Sequence, residues 1–477
     1  MTALSTELAT LDATAQADLV RRGEVSPAEL VAAAVGRIEA LNPAVNAVIT
    51  PMPDAPPPVD GPFAGVPFLV KDLVVEVAGT RFSEGSVFLR DNVSTQDSLL
   101  VTRLRRAGLV LIGKTNTPEF GMVPTCEPAL HGATRNPWDL TRSTSGSSGG
   151  SAAAVASGMV PMAHGNDLGG SLRFPASACG LFGLKPTRAR NPLGPLYGDA
   201  VSGWATDHAL TRSVRDSAAL LDATSGPAPG DPYPAPAPSR PFLSEVGRDP
   251  GRLRIAYTPR VPDGSLGHPD CLAALDDAVA LCASLGHELV EADLPGLTPP
   301  VGNAIGTVFM AATAWIADYW VRRVGRTPAE GELEPLTRTY WEAGRGVTAG
   351  QYLLAITDLQ AFSRTVAEFL GTYDLWLTPT MSSPPALLGE ISGLDHGAST
   401  VAYPAVVANI TGNPAMSVPL WWNRSGLPIG VHFLGRFGDE ATLFRLASQL
   451  EAARPWQSRL PVIRSRRPAE DTGRRGS

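Results

Sequence analysis

Apolar and polar positions recur along this chain with two different periods, and the change of period marks out its elements. Leu30, Ala34, Ile38 and Leu41 follow Ser26-Pro27-Ala28-Glu29 at helical spacing. A capping serine, a proline at the first helical position and a glutamate at the third are the parts of a helix start, and Asn42-Pro43 predicts its end. Gly65-Val66-Pro67-Phe68-Leu69-Val70-Lys71 is instead a short apolar strand closing on a lysine. Leu109-Val110-Leu111-Ile112 is too short for a helix and too apolar for a surface strand, which predicts a fully buried strand. Helices are expected over Leu99 to Ala107, Ala152 to Ser157 and Ala274 to Leu285. Further strands are expected over Leu253 to Tyr257, Glu288 to Val290, Leu375 to Leu377 and Ile429 to Phe433. Helices alternating with buried strands imply α/β layering. One domain is expected over residues 1–463, with the proline-dense stretch Thr224 to Phe242 as a surface excursion. The charged stretch Arg464 to Ser477 lacks apolar periodicity and is expected to be disordered.

Composition narrows the picture. With 477 residues, 44% of them hydrophobic and 18% charged, the chain can bury a large core. Its 48 Gly and 44 Pro stay below the ~25–30% that marks a disordered composition. A net charge of −7 argues against a nucleic-acid partner. The N-terminal stretch Met1 to Val20 has neither a basic nor an apolar signal region, and no uninterrupted apolar run approaches ~20 residues. The expectation is a cytoplasmic protein with no membrane association, monomeric or homodimeric. Cys126, Cys179, Cys271 and Cys282 show no CxxC spacing and are expected to be reduced and buried. No metal ligand set and no cofactor are called for.

Two motif matches are set aside on physical grounds. Gly108 to Thr115 fits the phosphate-binding loop, but the four residues inside it are Leu109 to Ile112, whose amides a sheet would consume. Gly146-Ser147-Ser148-Gly149-Gly150 fits the nucleophile elbow of α/β-hydrolases, with Ser148 as nucleophile of an esterase-type reaction. The elbow needs a strand immediately before it, and none is expected after Asn136-Pro137-Trp138-Asp139.

Three segments supply what amide hydrolysis requires: a nucleophile, a base and donors for an oxyanion. Lys71 ends an apolar strand, where loss of water disfavours its charged form and could make it a neutral base. The competing reading is a solvated lysine paired with Asp72. The tract Thr144 to Ser151 reads in isolation as a linker, yet it leads straight into an alanine-rich helix. In His164-Gly165-Asn166-Asp167-Leu168-Gly169-Gly170-Ser171-Leu172-Arg173-Phe174-Pro175, consecutive glycines let backbone amides converge beside a serine hydroxyl. Asp167 and Arg173 read as an ion pair bracing this loop, and His164 as structural.

Gly146 to Ala156 followed by Asp167 to Pro175 resembles the amidase signature, with Ser171 placed 24 positions after Ser147. Gly65 to Asp72, Gly113 to Gly121, Gly183 to Thr187, Leu377 to Thr380, Gly412 to Ala415 and Gly426 to Val431 are similar to further blocks of that family, in order. The resemblance implies a large, mixed, twisted sheet with helices on both faces, an α/β fold. It implies a catalytic triad in which Ser171 attacks, Ser147 (held by a cis peptide) relays the proton, and Lys71 is the base. It also implies an oxyanion hole from the amides of Leu168, Gly169, Gly170 and Ser171, with Ser148, Asp167 and Arg173 behind the reacting groups. One departure is Ser145, where the family more often has glycine.

Asp12 to Ala17, Gly132 to Trp138 and Ala163 to Asp167 look most like 6-aminohexanoate cyclic-dimer hydrolases, and carbamate-cleaving urethanases look similar. The expected substrate is a small to medium apolar amide, anilide or carbamate. Gly121, Met122 and Val123 are candidates for contacting it. The region Val301 to Tyr352 should shape the pocket; its Trp315, Tyr319, Trp320, Tyr340 and Trp341 are divided between core packing and an apolar site. The alternative of another class is the amidase-like subunit of a tRNA-dependent amidotransferase.

Overall fold

The computed structural model describes residues 3–53, 58–260, 266–391 and 404–463, so the stretch 464–477 expected to be disordered lies outside the described residues. Eleven strands form one mixed sheet. In chain order they are β1 (Val48–Pro51), β2 (Pro67–Lys71), β3 (Val110–Thr115), then, after the hairpin strands β4 (Arg135–Asn136) and β5 (Asp139–Ser143), β6 (Met162–Asp167), β7 (Phe182–Lys185), β8 (Thr206–Thr211), β9 (Arg254–Tyr257), β10 (Glu288–Glu291), β11 (Leu375–Pro379), β12 (Ala415–Trp422) and β13 (Pro428–Leu434). Across the sheet they run β1-β3-β2-β6-β8-β7-β12-β13-β11-β9-β10. β3, β2 and β6 are mutually parallel, as are β11, β9 and β10; the strands between are antiparallel.

The apolar runs become strands because both faces are covered. Phe68 and Val70 of β2 pack with Leu111 of β3 against the Leu99–Arg106 and Val214–Thr224 helices. Leu69, with Val110, Ile112 and Ala163, faces the Pro27–Val45 and Gly149–Ala156 helices. In the other half, Leu375, Leu377 and Phe433 meet the Pro269–Ser284 and Glu440–Ala453 helices. Their neighbours Trp376 and Leu434 meet the Pro299–Val324 and Ala349–Thr372 helices on the opposite face.

Three expectations shift. The helix begun at Ser26 carries its full capping box but runs through Pro43 to Val45, closing on Asn46 in the left-handed conformation. Pro43 falls in the last turn, where the backbone bond it forfeits is a single one. The helix expected from Ala152 starts earlier: Gly149, Gly150 and Ser151 of the serine–glycine tract already belong to it, and every residue of it is buried. A Cβ on Gly150 would lie 2.4 Å from the backbone nitrogen of Asn116, and one on Gly146 2.3 Å from the carbonyl oxygen of Thr125. Third, a strand does precede that tract, since Asp139–Ser143 forms β5. It pairs with β4 in a separate two-stranded sheet and bridges Leu387 through Arg142, so the elbow geometry, which needs a strand of the main sheet, is still missing.

The Pro299–Val324 helix is long and apolar enough, by length and composition, to cross a membrane. Gly302, Asn303, Thr307 and Thr313 interrupt its apolar run in sequence. One side of it, including Val301, Ala304 and Val308, is packed into the core.

Candidate active site

Parallel strands β3, β2 and β6 end together, and such carboxyl edges are where open α/β sheets carry their sites. Lys71 is the last residue of β2. Two residues beyond Leu69, it emerges on the same face and meets the start of the Gly149–Ala156 helix. Its ammonium nitrogen Nζ lies 2.6 Å from Ser147 Oγ, 3.1 Å from Ser148 Oγ and 2.6 Å from Asn166 Oδ1. All three partners are uncharged. Lys71 is fully buried, and burial pushes its pKa down to about 7 against the pull of surrounding acidic groups. The nearby helix start, carrying the positive end of the backbone dipole, disfavours the ammonium further.

Asp72 does not pair with Lys71. Its carboxylate takes Lys114 Nζ at 2.7 Å and the Ser83 hydroxyl at 2.6 Å. The charge that would have held Lys71 protonated is thus spent on another lysine, whose ammonium also sits 4.4 Å from the centre of the Phe82 ring. Gly113, Lys114 and Thr115 lie within β3, so the phosphate-loop match fails as its sequence suggested.

Ser147 follows a cis peptide from Gly146. Ser145 just before it has φ 58°, in the left-handed region where glycine is least strained, which gives the family's usual glycine a physical reason. The Ser148 hydroxyl donates to the carbonyl of Asn166 at 3.2 Å, and Ser148 is wholly buried.

The glycine turn after β6 is braced by Asp167. Its carboxylate pairs with Arg173 at 2.8 Å, both side chains having no exposure. It also accepts from the Leu172 amide at 3.0 Å and from Asn409 at 2.9 Å. Burial alone would raise the Asp167 pKa, but the guanidinium of Arg173 and these hydrogen bonds hold it well below the usual carboxylate range. Arg173 reaches onward to the carbonyl of Ala405 and to Asn409. His164 is structural: its Nδ1 accepts from the Lys71 amide at 3.3 Å, which leaves the proton on Nε2, 3.1 Å from Asp207.

One member of the expected oxyanion hole is corrected. The Gly170 amide donates to Asp167 Oδ1 at 2.8 Å, so it is already committed to the brace. Gly170 has φ 134°, and a Cβ there would strike the Phe174 ring at 2.3 Å; this glycine serves shape. The amides of Leu168, Gly169 and Ser171 remain.

Ser171 and Ser147 both face one small chamber of about 100 Å³. Ser171, Leu168 and Gly169 also face a larger cavity of about 460 Å³. Among the described residues no hydrogen bond joins the two hydroxyls; their segments are tied by the Ser148 amide donating to the Ser171 carbonyl at 3.3 Å. Gly121, Met122 and Val123 line the larger cavity, together with Ile305, Phe309, Met310, Leu336 and Tyr340. Of the five aromatics named from sequence, Tyr340 lines this cavity and Trp315 the smaller chamber, while Trp320 and Trp341 are core. Asn166, Asn409, Phe309 and Met310 were not singled out. Asn166 sits beside the glycine turn and could have been; Asn409 is remote in sequence and gave no signal.

A mixed sheet with helices on both faces, carrying a buried lysine and two serines at its carboxyl edge, defines an amidase-signature enzyme. The family model for amidases matches residues 29–444, and the chain belongs to that family; it is an amidohydrolase acting on carbon–nitrogen bonds. It is 40% identical to the 6-aminohexanoate-cyclic-dimer hydrolase of Paenarthrobacter ureafaciens, over 95% of this chain and 96% of that one. It is 33% identical to an acylamidase of Rhodococcus erythropolis, over 95% and 97%. A solved structure of a 6-aminohexanoate cyclic dimer hydrolase complexed with substrate superposes with a TM-score of 0.89 at 38% identity, covering 95% of this chain and 99% of that one.

Proposed function

We propose that the protein hydrolyses small to medium apolar amides, linear, cyclic or anilide, or the corresponding carbamates, through an acyl-enzyme on Ser171. The observation that carries this reading is a fully buried lysine whose nitrogen, among the described residues, touches only neutral groups, 2.6 Å from the hydroxyl of Ser147, beside a cavity that Ser171 also faces. A lysine so placed is a proton acceptor near neutral pH.

In this mechanism Ser171 Oγ bonds to the substrate carbonyl carbon. Its proton passes to Ser147 as Ser147 passes its own to Lys71. The carbonyl oxygen becomes negative and takes the amides of Leu168, Gly169 and Ser171, each worth about 3–4 kcal/mol in comparable sites. Collapse breaks the C–N bond while Lys71 returns the proton, through Ser147, to the departing nitrogen. Water then attacks the acyl ester over the same relay, releasing the acid and restoring Ser171 and neutral Lys71. The Ser147–Ser171 hydrogen bond is the contact substrate must complete, and catalytic hydrogen bonds commonly tighten only in the reactive complex.

The apolar lining of the larger cavity supports an apolar acyl portion, and the names of the relatives support amides over other acyl compounds. An esterase built on Ser148 has no support, because that hydroxyl is buried and already bonded. An amidotransferase subunit is the less supported reading beside relatives named as hydrolases. The test is a panel of p-nitroanilides, cyclic amides and aryl carbamates with the purified chain alone, combined with a covalent acyl probe. Turnover without glutamine or a partner, and labelling at Ser171, are expected; labelling at another residue, or no turnover of any member, rejects the reading.

A further inference from the structure

Ser171 stands where two cavities meet. Among the described residues the larger one, apart from the Tyr340 phenol, has no ionisable lining group. The smaller chamber, which Ser147 and Ser171 also line, has a different chemistry: Glu84, Tyr197 and Trp315 are among its walls. Tyr197 is 5% exposed, and among the described residues its hydroxyl has no hydrogen-bond partner. Its ring is fixed edge-on to Trp315 at 5.4 Å and tilted against Tyr319 at 5.7 Å. A buried hydroxyl left without a partner costs stability, so its retention beside a cavity points to a ligand.

Glu84 is 1% exposed. One carboxyl oxygen accepts from Trp320 Nε1 at 2.7 Å and the other from the Val74 amide at 3.3 Å, which leaves each with a free acceptor position. Among the described residues no cation pairs with it. Burial pushes its pKa up to about 7 against the hydrogen bonds from Trp320 and Val74.

We propose that the small chamber is the leaving-group subsite, and that Glu84 and Tyr197 bind there the primary amine at the end of a short leaving group. The inference rests on Ser171 being the nucleophile, since only then do the two cavities receive the two sides of the scissile bond. A primary ammonium matches the chamber: it offers three donors to the free acceptor positions of the two Glu84 oxygens and the Tyr197 hydroxyl, a charge to the carboxylate, and a cation to aromatic walls. The apolar acyl half of the substrate then occupies the larger cavity, where no charge would find a partner.

The test uses two amides of one acyl group, N-(2-aminoethyl)hexanamide and N-propylhexanamide, which share shape and differ in ammonium against methyl. Wild-type enzyme is expected to favour the aminoethyl amide by at least about tenfold in kcat/KM, because a site built for a donor rejects the analogue lacking it. In Tyr197→Phe and Glu84→Gln that ratio is expected to fall toward one through a rise in KM for the aminoethyl amide. A wild-type ratio of one or less overturns the proposal without any variant having to fold. Parallel decline of both amides in the variants, with the ratio kept, also overturns it. Ser171→Ala separates the two readings: hydrolysis that survives it removes the nucleophile assignment, whereas the wild-type ratio reports on the chamber alone.

Discussion

The layer beneath the large cavity, its floor, is polar, buried and cross-braced behind the glycine turn, whereas the roof that lines the cavity is apolar and partly exposed. The floor comes from β2, β6, the start of the Gly149–Ala156 helix and the Arg173–Cys179 helix, and Lys71, Asp167 and Arg173 within it have no exposure. The roof comes from the Pro299–Val324 and Pro335–Arg345 helices, whose Ile305, Phe309, Met310, Leu336 and Tyr340 face the cavity. Bond cleavage dictates the floor, because proton transfer fails when its groups move by a fraction of an ångström. Substrate shape dictates the roof, where one apolar side chain can replace another at modest cost.

The sharpest break should come from the floor. Ser171→Ala and Lys71→Met are each expected to lower kcat by about 10⁴-fold or more, as for residues of a unit that acts together. KM should change little; steady-state kinetics on one p-nitroanilide checks both. Asp167→Asn is next: it leaves Arg173 buried without its carboxylate, a loss of about 3–5 kcal/mol that thermal unfolding would register. The native pKa of Asp167 is depressed, so the stability it adds is present above the unfolded value of about 3.9 and is lost as pH falls. The variant should lack that acid-side slope.

The roof should respond selectively. Phe309→Ala is expected to change kcat/KM by about 10–100-fold for bulky acyl groups and far less for small ones, which a series of acyl chain lengths would measure. An equal loss across the series would erase the distinction between floor and roof. Smallest, over the first unit below neutrality, is the pH effect. Lys71 is an acceptor only when neutral, so kcat/KM should rise with pH through about 7, falling about tenfold per unit below it. Lys71→Arg keeps the charge but cannot deprotonate, and should be inactive over the whole range.

The floor was legible in sequence because its chemistry is local. Ser147, Ser148, Asp167, Ser171 and Arg173 fall in two glycine-rich tracts, and Lys71 closes a strand whose apolar run is plain. What sequence could not give was the competition among neighbours. Asp72 turns to Lys114 rather than Lys71, and Gly170 spends its amide on Asp167; both depend on groups that meet only in three dimensions. The roof was poorly legible for the opposite reason. Phe309 and Met310 lie on a long apolar helix where cavity-facing and core-facing positions have the same composition. The strands β7, β8 and β12, at the sheet's centre, gave weaker signals than the flanking β2 and β3 because polar residues such as Asp207, His208 and Ser417 are buried within them.

Arg173 gives the molecule an unusual division of labour. Every group assigned to bond breaking lies between residues 71 and 171, yet the guanidinium behind the nucleophile turn is held by Ala405 and Asn409, from far down the chain. A fragment ending before them would carry the complete set of reacting atoms and lack the clamp that aims them. Supplying residues 404–463 as a separate polypeptide should therefore matter to turnover even though that piece performs no chemistry of its own.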